Sequence, residues 1–361
     1  MWNPFELFFP KRIIGIDIGT ASIKVVEISK WGGGKTLENY GEIKSVSLYK
    51  EEEPFRTFDG ASYMLSDFFI SRAIKAILEE TGIKTKAVIF SVPDYSTFCI
   101  SFEMPPMTEK EIPDAVKYHA PQYIPLPISE TTLDWKVIGG TPGDKKSNIR
   151  IFLIAIPNQV VEGYKRVAEG VGLELYALEA EATAITRALI KDTKKVICLV
   201  DIGVQSTTIN VVDHGDLKKS YSFNFAGGQL TYAIASSLGL ANDKAEQLKN
   251  EKGLISLDKE ITKTLYYLID PLLLEIKNIS NEFFLREQKQ VEEIYLTGGT
   301  ANLPGLKEYF QESLGKKVVL PNCFSDFLYP PILEENLKKM GPGFSVAVGV
   351  ALGGLKNNNK K

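Results

Sequence analysis

Asp17-Ile18-Gly19-Thr20-Ala21-Ser22 and Asp201-Ile202-Gly203-Val204-Gln205-Ser206 are two copies of one pattern, D-I-G-x-x-S. An apolar run leads into each copy, at 13–18 and at 195–200, and a β-branched run follows each. Strand–turn–strand is therefore predicted twice. The copies lie too far apart for a solenoid, so they mark two halves of one design. A duplicated strand–turn–strand predicts two α/β lobes facing each other across a cleft.

The residue types at the turns fit a phosphate. A tight turn presents backbone N–H groups to an anion, and glycine lets the backbone approach closely. Thr20, Ser22, Ser206, Thr207 and Thr208 add hydroxyls, and Lys24 supplies a positive charge. Asp17 and Asp201, at the ends of the two leading strands, are placed to hold a hydrated Mg²⁺, which favours carboxylate and water oxygens. A third element, Ile294-Tyr-Leu-Thr-Gly298-Gly299-Thr-Ala301-Asn302, runs a strand into two glycines and then a predicted helix over 302–314 with Pro304 in its first turn. Two adjacent residues without side chains leave room for a flat base or a ribose.

Working outward, 37–48 reads as a third strand, 62–81 as a helix closed by Gly82, and 86–92 as a strand. The stretch 92–171 changes character. It reads as strand, helix, two strands and helix, with Thr108 and Glu111 as a capping box. A further helix is expected over 177–189, and others over 230–238, 243–250 and 261–284. The expected lobes are 11–91 with 172–194, and 195–355 with a smaller helical part at 229–290; 92–171 is an insertion, and 1–10 and 356–361 are flexible ends.

Composition narrows the function. The 361 residues carry 42 basic and 45 acidic side chains, which gives no sequence-independent attraction to nucleic acid. Three scattered cysteines, Cys99, Cys198 and Cys323, form neither a disulfide framework nor a zinc site and fit a reducing cytoplasm. Residues 1–9 are apolar but too short to span a bilayer, and the glycine-rich run at 340–355 reads as a buried helix.

The three motifs, in this order, resemble the actin-like ATPase superfamily: 17–24 and 201–208 are similar to its two phosphate loops, 296–306 to its adenosine motif, and 179–189 and 343–355 to its two connecting helices. The insertion follows the strand at 88–92, as in the FtsA-type branch. GIDIGTASIKVVEI, AVKYHAPQYIPLPISETTLDW and GGQLTYAIASSLGLANDKAEQLK resemble the PilM family of type IV pilus assembly proteins. Val204 and Gln205 stand where that family has smaller residues.

The resemblance implies a two-lobed actin-like fold that binds ATP and Mg²⁺, with slow or negligible hydrolysis. It implies nucleotide contacts from Asp17, Gly19, Thr20, Ala21, Ser22 and Lys24, and from Asp201, Gly203, Ser206, Thr207 and Thr208. Gly227, Gly228, Glu246, Lys249, Gly298, Gly299, Ala301 and Asn302 would complete the site. Asp17, Asp201 and Glu179 are the implied catalytic group, with Asp17 and Asp201 acting on the metal through water. The implied partner is the cytoplasmic N-terminal peptide of a PilN-like inner-membrane protein, which would hold this chain at the membrane periphery. Tyr118, Tyr123, Ile124, Leu126 and Trp135 are its candidate contacts. Pilus assembly ATPases and a second copy of the chain stay open as further partners. An FtsA-like division scaffold and a small-molecule kinase of the same fold are the alternative readings.

Overall fold

The computed structural model describes residues 11–44, 56–59, 62–65, 67–192, 194–255 and 258–356. The expectations for the flexible ends, at 1–10 and 356–361, and for the last part of the third strand lie outside them, except that Lys356 is the last residue of a helix.

Fifteen strands and nine α-helices follow one another in the described residues. The first lobe contains β1 (Lys11–Ile18), β2 (Ser22–Trp31), β3 (Gly34–Lys44), the hairpin β4 (Arg56–Asp59) and β5 (Ser62–Leu65), α1 (Asp67–Thr81) and β6 (Ala87–Val92). The insertion contains β7 (Phe98–Met104), α2 (Ile112–His119), β8 (Thr131–Gly139) and β9 (Ile149–Pro157); α3 (Asn158–Val171), expected as its last helix, packs with α1 on the first lobe's sheet. The chain returns through β10 (Glu174–Ala180) and α4 (Glu181–Leu189). Then come β11 (Ile197–Ile202), β12 (Thr207–Asp213), β13 (Asp216–Phe223), α5 (Gly227–Leu238), α6 (Asn242–Lys252) and α7 (Lys259–Glu287). The chain closes with β14 (Glu293–Thr297), α8 (Leu306–Leu314), β15 (Lys317–Val319) and α9 (Glu334–Lys356).

The repeat is carried by the sheets. One has the order β3-β2-β1-β6-β10 and the other β13-β12-β11-β14-β15. From left to right both pair antiparallel, antiparallel, parallel, parallel. The hairpin registers also correspond, with Asp17 opposite Lys24 and Asp201 opposite Thr208. The fold is thus the duplicated α/β architecture that the two D-I-G turns predict, in the actin-like form that the resemblance implies.

Burial explains why these runs become central strands. Ile14, Ile16 and Ile18 face α1 and α3, while Ile13 and Ile89 of the same sheet face α4 and α9. A strand buried on both faces needs apolar residues throughout, and each full Ile burial contributes roughly 1.5–3 kcal/mol. Leu199 of β11 joins the α4–α9 core, so these two helices lie between the sheets. α5, α7 and α8 cover the outer face of the second sheet. The insertion builds its own three-stranded sheet, β7-β9-β8, closed over by α2. It also grips the second lobe: Ser101 Oγ donates to the Lys218 carbonyl at 2.8 Å and Lys218 Nζ to the Ile138 carbonyl at 2.7 Å.

Several boundaries differ from expectation. Residues 177–180 are strand, because parallel pairing with β6 claims them before the helix begins. Residues 62–65 pair with β4 instead of starting α1. The helix expected from 302 begins at Leu306, because Gly305 takes a left-handed φ of 84°. The Thr108–Glu111 pair forms one half of a box: Glu111 accepts from the Thr108 N–H and also from its hydroxyl, each at 2.7 Å. β13 and β15 are edge strands of mixed polarity that alternation did not reveal. No helix of the described residues is long and apolar enough to cross a membrane.

Candidate functional site

The two D-I-G turns close in the same way. Gly19 N–H donates to the Ser22 carbonyl, and Gly203 N–H to the Ser206 carbonyl, both at 2.9 Å. They face each other across a cleft of about 620 Å³. They also touch: Thr20 Oγ1 donates to Gln205 Oε1 at 3.1 Å. Gln205, one of the two departures from the family's small pair, is therefore the side chain that bridges the lobes at the cleft mouth.

Asp17 and Asp201 both line the cleft. Asp17 is buried and accepts from Ser91 Oγ at 2.9 Å, which fixes its rotamer. Lys24, opposite Asp17 in the hairpin, also lines the cleft and lies 3.8 Å from Glu42. The second turn is tied to the N-terminus of α5, where Gly227 N–H donates to the Gly203 carbonyl at 2.9 Å and Gly228 N–H to the Val204 carbonyl at 3.0 Å. Gly298, Gly299 and Asn302 form the opposite wall. Gly298 N–H is held at 3.0 Å by the carbonyl of Pro342, a proline inside α9. A methyl group on Gly299 would meet nothing within 4 Å, so this face of the wall is open.

Further back, Lys249 is buried and its ammonium lies 2.6 Å from Glu246. It also donates to Thr231 Oγ1 at 2.9 Å and to the Gly227 carbonyl at 3.2 Å. Burial lowers the Lys249 pKa. For Glu246, burial would raise the carboxyl, but the Lys249 charge and hydrogen bonds outweigh it and hold it below its ordinary value. Glu246 is the member of the pair that reaches the cleft.

Most predicted residues meet at this cleft: Asp17, Gly19, Thr20, Ala21, Ser22, Lys24, Asp201, Gly203, Ser206, Thr208, Gly228, Glu246, Gly298, Gly299 and Asn302 line it. Thr207, Gly227, Lys249 and Ala301 do not; they are buried behind the lining and support it. Glu179 stands apart from this group. It lies on β10, where Arg187 holds its carboxylate and Thr183 donates to it at 3.0 Å, and it does not line the cleft.

A nearby acid that does line the cleft is Glu181, the first residue of α4. Asp94 lies behind it, just after β6. Asp94 N–H donates to Glu181 Oε2 at 3.4 Å, and Asp94 Oδ1 accepts from the Ala182 N–H at 3.0 Å. Each carboxylate thus caps the other's chain segment. Burial, and then the Glu181 charge, push the Asp94 carboxyl well above its ordinary value. The sequence signal for Glu181 was present in E-A-T-A, two residues beyond the glutamate chosen. Asp94 carried no motif.

The candidate partner residues divide. Ile124 is buried in the core of the insertion, and Leu126 and Trp135 pack against that core. Tyr118 is exposed on α2, and Tyr123 is partly exposed while stacking on Phe102 with ring centroids 4.8 Å apart. Only these two tyrosines present most of a ring or its edge to solvent.

Comparison with known proteins agrees with this architecture. The chain superposes on a solved PilM-PilN type IV pilus biogenesis complex with a TM-score of 0.78 and 25 % identity, covering 95 % of this chain and 98 % of that one. Cell division protein FtsA of Enterococcus faecalis is 23 % identical over 354 residues, which is 86 % of this chain and 78 % of FtsA. MreB5 of Spiroplasma citri, bound to AMPPNP, shares the fold with a TM-score of 0.50 at 15 % identity, covering 91 % of this chain and 97 % of that one. A family model describing type IV pilus assembly protein PilM matches residues 15–355. The chain therefore belongs to the PilM family of type IV pilus assembly proteins.

Proposed function

We propose that this chain is an ATP-binding scaffold of a type IV pilus assembly platform. Its cleft holds ATP with Mg²⁺, and its insertion captures the cytoplasmic N-terminal peptide of a PilN-like inner-membrane protein. The observation that carries the nucleotide reading is the matched pair of turns, each folded by one N–H···O bond and both aimed into one cleft. Backbone amides and hydroxyls of Gly19–Ser22 and Gly203–Ser206 would surround the phosphates from two sides, and Lys24 would offset their charge. The open wall at Gly299 and the Glu246 carboxylate suit a ribose and base.

The residues present fit the metal. Asp17 and Asp201 are both at the cleft, one from each lobe, and would hold Mg²⁺ through water ligands. The ion would supply charge neutralisation between the phosphate oxygens. Glu181, anchored by the Asp94 N–H, is placed to orient a water. Turnover is expected to be slow, so that the bound nucleotide acts by favouring one cleft conformation.

The partner reading is supported by the likeness to a PilM-PilN complex over nearly the whole chain, and Tyr118 and Tyr123 are its surface contacts. Titration calorimetry with ATP and Mg²⁺ should show one site per chain. Binding that survives unchanged in an Asp17→Ala/Asp201→Ala double variant would refute the site. Capture of a synthetic N-terminal peptide of a PilN-like protein, compared with and without ATP, tests the partner assignment.

A further inference from the structure

Three strands of the first sheet reach the cleft in one cross-strand row. Asp17 of β1 lies opposite Lys24 of β2, and Lys24 lies opposite Glu42 of β3. Two residues back along each strand, and so on the same face, the row is Gly15, Val26 and Tyr40. Val26 and Tyr40 belong to the core beneath α9, and Gly15 approaches the α9 backbone. The row of Asp17, Lys24 and Glu42 therefore continues that face out of the core and into the cleft, which all three residues line. Glu42 belongs to no motif; its place beside Lys24 follows from the register of β3.

Lys24 has little freedom in this row. Its side chain is 14 % exposed, and a methyl group on Gly343 of α9 would lie 3.7 Å from its Cε, so its stem runs alongside that helix. Asp17 is held from the other side by Ser91 of β6. The Lys24 ammonium lies 3.8 Å from the Glu42 carboxylate, whose side chain is 29 % exposed. Opposite charges on facing residues of neighbouring strands attract, so the cation assigned to the phosphates already has an anionic partner. Carboxyl side chains outnumber lysines in the cleft lining among the described residues, so positive charge is scarce there.

We infer that Glu42 is an affinity-determining residue of the cleft, an internal competitor that the phosphates of a nucleotide must displace from Lys24. The inference rests on the nucleotide reading of the cleft and adds to it a residue outside the motifs. A phosphate oxygen that takes the Lys24 ammonium leaves Glu42 to water, which its partial exposure allows. Binding of a polyphosphate therefore gives up the attraction between Lys24 and Glu42. A ligand without phosphates leaves the pair intact. Because both side chains are partly open to solvent, the pair is screened and its effect on affinity is modest.

The test is displacement of a fluorescent ATP analogue, with Mg²⁺ present, from the full-length wild type, Glu42→Gln, Lys24→Met and the double variant. Glu42→Gln should bind ATP about five-fold more tightly, the scale of a partly screened pair at this separation. Adenosine should show no such gain. Lys24→Met alone should weaken ATP binding, and adding Glu42→Gln to it should change the affinity by less than about two-fold, as for a residue whose partner has gone. ATP binding that Glu42→Gln leaves unchanged or weakens would overturn the inference while the nucleotide site stands. An equal gain for adenosine would mean a loosened cleft, and a gain that persists without Lys24 would mean plain repulsion of the phosphates; either would overturn the competition. No ATP binding by the wild type would overturn the nucleotide reading and the inference together.

Discussion

Gly298 and Gly299 are neighbours, and the structure assigns them opposite liabilities. Gly298 has φ +89°, and a methyl group there would lie 2.3 Å from Asp201 Oδ1, 2.5 Å from the Ile202 carbonyl and 2.7 Å from its nitrogen. Two of those three atoms are backbone of a central strand and cannot turn aside. Gly298→Ala therefore combines backbone strain of about 1–3 kcal/mol with overpacking of similar size. About 4 kcal/mol is a reasonable total, and for a chain of this size the melting temperature should fall by about 5 °C. Gly299→Ala meets nothing within 4 Å and has no left-handed φ, so stability should stay within about 0.5 kcal/mol. Its new methyl group projects into the space assigned to the nucleoside, and ATP affinity should fall roughly ten-fold, the cost of about one unwanted contact. Differential scanning calorimetry and ATP titration on both variants separate the two effects. A Gly298→Ala protein that melts like the wild type would refute the packing argument. A Gly299→Ala protein that melts like the wild type and binds ATP as tightly would refute the placement of the nucleoside.

Three further outcomes follow from the same cleft. Gln205→Ser removes the 3.1 Å contact to Thr20, an exposed bond worth about 0.5–1.5 kcal/mol; nucleotide release, followed by stopped-flow fluorescence, should quicken about five-fold with little change in melting. Lys249→Met leaves Glu246 without its cation. Because the Glu246 side chain is 44 % exposed, the loss should be about 2 kcal/mol and not the larger cost of a fully buried pair, as chemical denaturation would report. Asp94→Asn tests the raised carboxyl. Folded Asp94 keeps a proton that the unfolded chain releases near 3.8, so wild-type stability declines as pH rises from there toward the folded value. The asparagine cannot ionise, so melting curves should show its advantage growing as pH rises above the ordinary carboxyl range. An advantage that shrinks as pH rises there would overturn the assignment.

The features legible in the sequence were those fixed by local rules. D-I-G turns announce themselves because a tight turn at a buried strand end admits few residue types, and β1 and β11 beside them are largely apolar runs. β13 and β15 were not legible because edge strands face solvent and carry mixed residues such as Lys218-Lys219-Ser220. The end of β10 was misread as helix because Leu178 and Glu179 have good helix propensity; parallel pairing to β6 overrides it. Glu179, which the resemblance puts at the start of the first connecting helix, is thereby strand, and the helix itself begins at Glu181. Asp94 was invisible for a different reason, since its role depends on contacts made across 87 and 88 residues of chain.

The mechanical link between cleft and insertion follows from how closely the two connecting helices approach. A methyl group on Gly349 of α9 would sit 2.0 Å from the Ala184 carbonyl of α4, and one on Gly15 of β1 would sit 2.2 Å from the Ala347 carbonyl of α9. Backbones in such contact cannot slide without separating, and the core around them draws on both sheets. Any relative motion of the two lobes would on this ground pivot about an axle of α4 and α9. The insertion is attached on both sides of that axle. Its root is tied to α4 through Asp94, while β7 and β8 are tied to the edge strand β13 of the second lobe through Ser101, Ile138 and Lys218. Rotation of the second lobe moves β13 while the root stays in place, so closure must either shear the β13 contacts or bend the inserted sheet. On the proposed function, a nucleotide that closed the cleft would therefore act on the inserted sheet beside Tyr118 and Tyr123 with no contact of its own to that surface.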